Sequence, residues 1–379
     1  MKWLFVTSRF AYPLSHGTFL RTYHFAREAK RSGDDVSLLS FAGDDQGVDV
    51  YRREGVEILL PVTGTTPNSG HGRCWGSPYV YSKEIGTRLT EYAAKFDTVV
   101  LFGAGTLQYS PEAAAVGRVV CDFVDDPLIE QQRRMTSCGV LPMDKLRGVR
   151  FVIGEKRYEK RFAKSVDTIT FVAQPDADNF SRRCTTATVK VVPNGVDSDY
   201  FRRPAGQDVC DDPASVIFTG VMSNPNNARA AEFLVQQIAP KIWGEYPDVK
   251  IKIVGSEPGE SLRKLASDRV EITGKVDDIR TYLWDSSVVL LPMLSGTGIK
   301  NKLLEAWSSE SAVVGTKLCS IGTNAADNEN ILLGETPDEL AAATCRLLGD
   351  SELRGKIARA GRELAEQNFT WSGALDLMR

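Results

Sequence analysis

Short, nearly continuous apolar runs alternate with longer helix-patterned segments from one end of the chain to the other. The runs fall at 3–6, 36–41, 56–62, 98–102, 119–123, 168–172 and 189–193. A second series begins at 215–219 and continues through 250–254, 270–273, 288–291, 312–315 and 331–333. Runs this short and this apolar are strands buried on both faces. Helical patterning between them, near 19–31, 82–95, 149–163, 175–182 and 352–368, supplies the crossovers that parallel strands need. The pattern predicts doubly wound α/β sheets. With 379 residues there is chain enough for two such domains. Between the two series, 197–213 is polar and rich in Asp, Arg and Pro, as a linker is.

The run at 288–291 leads into Gly296-Thr297-Gly298-Ile299-Lys300-Asn301-Lys302-Leu303-Leu304-Glu305-Ala306. A glycine-rich turn between a strand end and a helix start offers backbone N–H groups and a positive helix end to an anion. Lys300 and Lys302 add charge beside it. Glu305, one turn further, is placed to accept hydrogen bonds from a diol such as a ribose. Phosphate, cation and diol-binding carboxylate together suggest a sugar nucleotide. Short Gly-x-Gly spacings also recur as plain strand–turn–helix joints with surface lysines.

The full stretch resembles the donor-site motif of retaining GT-B glycosyltransferases of family 4. A Glu-x7-Glu pattern crosses this joint in that family. Glu305 stands at its second position and Thr297, a departure, at its first. Further likenesses follow in the family's order along nearly the whole chain: Pro193-Asn194-Gly195-Val196-Asp197 before the linker, Phe218-Thr219-Gly220-Val221-Met222 with Pro225-Asn226, Gly274-Lys275-Val276, and Thr370-Trp371 near the end. The resemblance implies the GT-B architecture, two Rossmann-like doubly wound domains facing a cleft. The N-terminal domain would span 1–198, the linker 199–213 and the donor-binding domain 214–365, with 366–379 returning to the first domain.

By the same resemblance Glu305 holds the ribose, and Lys302 and Lys300 neutralise the diphosphate. Gly298 and Ile299 present backbone N–H groups to the donor, beside Thr297. Gly220, Lys275 and Val276 complete the donor contacts. Val221 and Asn227 stand where relatives often carry Arg and Lys, which leaves the two motif lysines as the available charge. From the N-terminal domain, the loop Ser15-His16-Gly17-Thr18 would face donor and acceptor, with Arg21 supplying charge and Asp125 touching the sugar. Lys302, Asp125, Arg21 and His16 are thus the catalytic candidates. Asp126, followed by Pro127, fits a helix cap better. The alternating charges of 155–161 read as a solvated helix face, with a membrane-surface or anionic-acceptor role as the lesser alternative. Trp75, Tyr79 and Tyr81 either line an acceptor pocket or pack a loop.

A formal net charge of −3 argues against bulk nucleic-acid binding. Seven scattered cysteines and three histidines offer neither a disulfide framework nor a zinc spacing. No apolar run approaches the ~18 residues of a membrane span. The expectation is a cytoplasmic enzyme, at most peripheral to a membrane. It would use a nucleotide-diphosphate sugar as donor substrate, with no metal and no further cofactor. The acceptor is open: small molecule, lipid-linked glycan, protein or modified nucleic acid. A sugar-nucleotide epimerase, a glycosyl phosphorylase or a non-catalytic sugar-nucleotide binder are the alternatives.

Overall fold

The computed structural model describes residues 1–7, 17–40, 45–61, 78–114, 117–136, 142–206 and 214–379. They form two compact units, Met1–Pro193 with Ala374–Arg379, and Asn194–Gly373.

In the first unit β1 (Lys2–Thr7), β2 (Asp35–Ser40), β3 (Glu57–Pro61), β4 (Thr98–Phe102), β5 (Arg118–Val124), β6 (Thr168–Phe171) and β7 (Thr188–Val191) form one parallel sheet in the order β3-β2-β1-β4-β5-β6-β7. The second unit has β8 (Ser215–Thr219), β9 (Lys250–Val254), β10 (Val270–Ile272), β11 (Val288–Leu291), β12 (Val313–Gly315) and β13 (Leu332–Leu333). They pair in parallel as β10-β9-β8-β11-β12-β13. Both are Rossmann orders. Each reverses direction once, between β1 and β4 and between β8 and β11, and the strand ends at such a reversal open into a ligand crevice. The central strands are apolar throughout because nothing on them meets water: Trp3–Val6, Val99–Phe102 and Val288–Leu291 are fully buried.

Two motifs far apart in sequence meet inside the second unit. A Cβ on Gly195 would lie 2.5 Å from the backbone nitrogen of Trp371, and Val196 N–H donates to Phe369 O at 2.7 Å. This packing draws 194–198 and 366–373 into the second unit, so that only Ala374–Arg379 of the final segment joins the first.

The helix Pro142–Phe162 corrects the reading of 155–161 as a wholly solvated face. Glu155, Tyr158, Glu159 and Phe162 share its inward side and are buried, while Lys156, Arg157, Lys160 and Arg161 point outward. Charge alternation hid a helical period in which the acids all face in. Arg183 answers them, donating through Nε to Glu159 Oε2 at 2.7 Å and through both terminal nitrogens to the Asp126 carboxylate at 2.8 Å. Burial, with Glu159 close by, pushes the Glu155 carboxyl up to about 8. Tyr79 hydroxyl donates to Glu155 at 3.1 Å and its ring lies 4.9 Å from that of Tyr158, and Tyr81 stacks on Tyr109. Both tyrosines pack, partly buried, against the core of the first unit. Trp75 lies outside the described residues.

Candidate functional site

The crevice of the second unit is built where backbones approach without side chains between them. Gly220 follows β8 and Gly255 follows β9. A Cβ on Gly255 would fall 1.8 Å from the Gly220 carbonyl oxygen, and Gly255 has φ +146°. Only glycine fits that contact and that conformation. Gly220 N–H donates to Val254 O at 3.0 Å and Met222 N–H to Ser256 O at 2.8 Å, which pins the two loops together. Gly255 N–H meets Thr273 Oγ1 at 3.4 Å, and that hydroxyl donates to Gly274 O at 2.8 Å. The loops after β8, β9 and β10 are therefore one connected rim. Gly255→Ala is expected to lower folding stability by about 1–3 kcal/mol or more, the scale of overpacking. Urea denaturation measures it, and a midpoint equal to the parent's would mean that the loops part freely.

Lys302 reaches this rim from the first turn of the helix Asn301–Ser308. Its Nζ donates to Asn227 Oδ1 at 2.7 Å and lies 4.3 Å from the centroid of the Phe218 ring. A Cβ on Gly220 would come within 3.0 Å of the same ammonium. Asn227 turns its other end to Val221 O, at 2.9 Å, so the amide holds the lysine and the loop in one chain of hydrogen bonds. Asn226 ties the loops a second time by accepting from Ser295 Oγ at 2.5 Å. Lys302 is half-buried by accessible surface, yet dense packing around Nζ strips its hydration. Desolvation pulls the ammonium down to about 7; Glu305 opposes the fall and Lys300 adds to it. Burial raises the half-buried Glu305 carboxyl above its usual range, against the pull of Lys302. A cation and a carboxylate are thus both held at some electrostatic cost one turn apart, as is common where a ligand supplies the missing partner.

The helix carrying them is oriented for an anion. No side chain caps its N-terminus at Lys300. At the other end the Arg362 guanidinium donates to Ser308 O, and Trp307 Nε1 donates to Asn330 O at 3.0 Å. A cation at the carbonyl end and an uncapped N–H end is the favourable arrangement for the helix dipole. Asn194 Nδ2 donates to Asn301 Oδ1 at 2.7 Å, so the Pro-Asn-Gly-Val-Asp motif also braces the helix start.

Lys300 plays a different part from Lys302. It is buried, and its Nζ donates to Thr297 O at 2.6 Å and Gly298 O at 2.9 Å. The ammonium closes the loop on itself, with Gly298 at φ +61° making the turn. Ile299 is buried and Thr297 half-buried. Lys275 is exposed and Val276 half-buried, just past Gly274 on the rim. Sequence reasoning missed Gly255 and Thr273. The signal was a glycine directly after the second strand of the series, matching Gly220 after the first.

In the first unit one candidate sits in an internal ion pair. Arg21 is fully buried, with Nε and Nη2 donating to the two Asp122 oxygens at 2.7 and 2.8 Å and Nη1 to Pro193 O at 3.2 Å. Thr170 donates to Asp122 at 2.6 Å. The guanidinium is thus paired with Asp122 inside the unit. Asp125 is half-buried at the end of β5. Val124 before it has φ +70°, and the β5–β6 register slips between Asp122 and Val124. Positive φ is unusual for a β-branched residue, and such strain gathers at functional sites. Asp126 accepts from Leu128 N–H at 2.9 Å, the cap expected of it. Gly17 is the first residue of the helix Gly17–Arg31. His16 lies outside the described residues.

Among the described residues no group of three or more His, Cys, Asp and Glu is placed to hold a metal ion, and no helix is long and apolar enough to cross a membrane. Cys121, Cys184, Cys319 and Cys345 are buried free thiols.

Glycine-turned strand ends at a topological switch point, an uncapped helix N-terminus and a desolvated lysine give this doubly wound domain the features of an anion site. Comparison with known proteins narrows this. Residues 213–350 match the family described as glycosyl transferases group 1. The phosphatidyl-myo-inositol mannosyltransferase of Mycolicibacterium smegmatis is 29% identical over 190 residues, 48% of each chain, so the chain spans about half the length of the curated relatives it matches. Anabaena HepE, solved in complex with UDP and glucose, superposes with a TM-score of 0.69 at 14% identity, covering 100% of this chain and 98% of that one. A glycosyltransferase from Rickettsia africae gives 0.70 at 14% identity, covering 99% and 96%. The fold is that of these GT-B structures, and residues 213–350 are similar to glycosyl transferases group 1.

Proposed function

We propose that this protein is a retaining, metal-independent glycosyltransferase that takes a sugar from a nucleotide-diphosphate donor. The observation that carries the proposal is Lys302, held by Asn227 beside Gly220 at the switch point and beneath an uncapped helix start. Negative charge grows on the leaving phosphate during glycosyl transfer. A cation and a helix end fixed there stabilise the transition state more than the bound donor. No pair of carboxylates placed as nucleophile and acid was read in the sequence. The departing phosphate is then the group that takes the acceptor proton, on the same face as the leaving group. Glu305 holds the ribose hydroxyls, and Thr297 offers a neutral hydroxyl to the donor sugar. The UDP and glucose named for HepE make UDP-glucose the first donor to try. The acceptor is unassigned.

Glu305→Ala is expected to weaken UDP-glucose binding by about 1.5–3 kcal/mol, the scale of a charged hydrogen bond, with the fold intact. Calorimetry on folded variant measures it, and unchanged affinity would remove the ribose assignment. Transfer is expected to persist in excess EDTA. Donor binding without turnover would instead mark a sugar-nucleotide binder. Turnover without any acceptor would mark an epimerase, and a strict phosphate requirement a phosphorylase.

A further inference from the structure

The outward face of the helix Pro142–Phe162 carries a combination found on no other described element. Among the described residues, four of the eight exposed large apolar side chains are here: Met143 (61% exposed), Leu146 (65%), Val149 (45%) and Ile153 (41%). They recur at helical spacing and form one stripe along the N-terminal half. Seven lysines and arginines are exposed around and beyond the stripe, against a single exposed acid, Asp144. The whole chain is net negative, so this basic face runs against the global charge. The helix cannot turn its stripe inward, because Glu155, Tyr158, Glu159 and Phe162 already fill the buried side and Arg183 pins Glu159. Exposed apolar side chains ringed by bases are the pattern of a helix that lies in a membrane interface, its apolar stripe among acyl chains and its bases on anionic headgroups.

We propose that this helix docks the protein on an anionic lipid surface. The inference is independent of the donor reading, since it concerns other residues in the other unit. The occupant is a bilayer by charge and shape together: a single helix with a narrow apolar stripe and a broad basic flank suits a planar, negatively charged, apolar medium. The test is co-sedimentation of the full chain with vesicles of 30% phosphatidylglycerol in phosphatidylcholine, and with phosphatidylcholine alone. Binding is expected to the first, at least tenfold weaker to the second, and to fall steeply with salt. Leu146→Glu with Ile153→Glu, and separately Arg150→Glu with Arg157→Glu, should each weaken binding at least tenfold while the thermal transition stays in place. All four positions are exposed, and the unchanged thermal transition is the check that each pair leaves the fold in place. Absence of binding, equal binding to both vesicles, or binding untouched by either pair would overturn the proposal. So would a parent that is dimeric by light scattering and becomes monomeric with Leu146→Glu, because the stripe would then be an interface between two copies of this chain.

Discussion

Lys302→Ala is expected to lower turnover about 10²–10³-fold, the scale for losing one preorganised group at a developing anion. Donor affinity should fall less, because the charge acts most strongly on the leaving phosphate. The fold should survive, since the alanine removes a desolvated cation whose burial is itself unfavourable. The parent should also show a pH signature. Desolvation leaves the unliganded ammonium titrating at about 7. An incoming diphosphate favours the charged form and raises that value, so binding takes up a proton at and above neutrality. Affinity is then greatest below pH 7 and declines above it by at most about tenfold per pH unit. UDP-glucose is the suitable probe, because its diphosphate does not titrate in this range. Lys302→Arg should flatten the profile, since a guanidinium stays charged throughout. A parent profile that is flat between pH 6 and 9, or an alanine variant within twofold of the parent in turnover, would make Lys302 a structural residue.

The strands were legible because parallel strands buried on both faces read as unbroken apolar runs, and each expected run has its strand. The lysine–glutamate turn was legible because strand, glycines, charges and helix are adjacent in sequence. What escaped depended on residues brought together across distance or on which way a side chain turns. Lys300 and Lys302 are indistinguishable as letters, yet one ammonium points into its own loop and the other at Asn227. Gly255 matters through its contact with Gly220, which no local pattern encodes. The acids of 155–161 have a helical period that fits a buried face as well as an exposed one. Only Arg183 and Asp126, from other elements, decide between them.

Arg21 shows the same limit most sharply, and its replacement should have the largest effect on stability. The residue was read as donor-facing because it follows a glycine loop on the first helix. Its partner Asp122 lies on β5, and both side chains are fully buried. A buried pair of this kind adds little over well-packed apolar residues, but removing one member strands the other charge at a cost of about 3–5 kcal/mol. Arg21→Met is therefore expected to lose that much stability in urea denaturation, with Thr170 the only other donor to Asp122 described above. Arg21→Met with Asp122→Leu should recover a large part of the loss, because no charge is then left unpaired. Donor affinity of whatever fraction folds should match the parent's, since Lys302, Glu305 and Thr297, the donor residues named under the proposed function, all lie in the other unit. If Arg21→Met instead kept the parent's stability and abolished donor binding, the guanidinium would belong to the donor site after all, and the pair with Asp122 would be incidental to the fold.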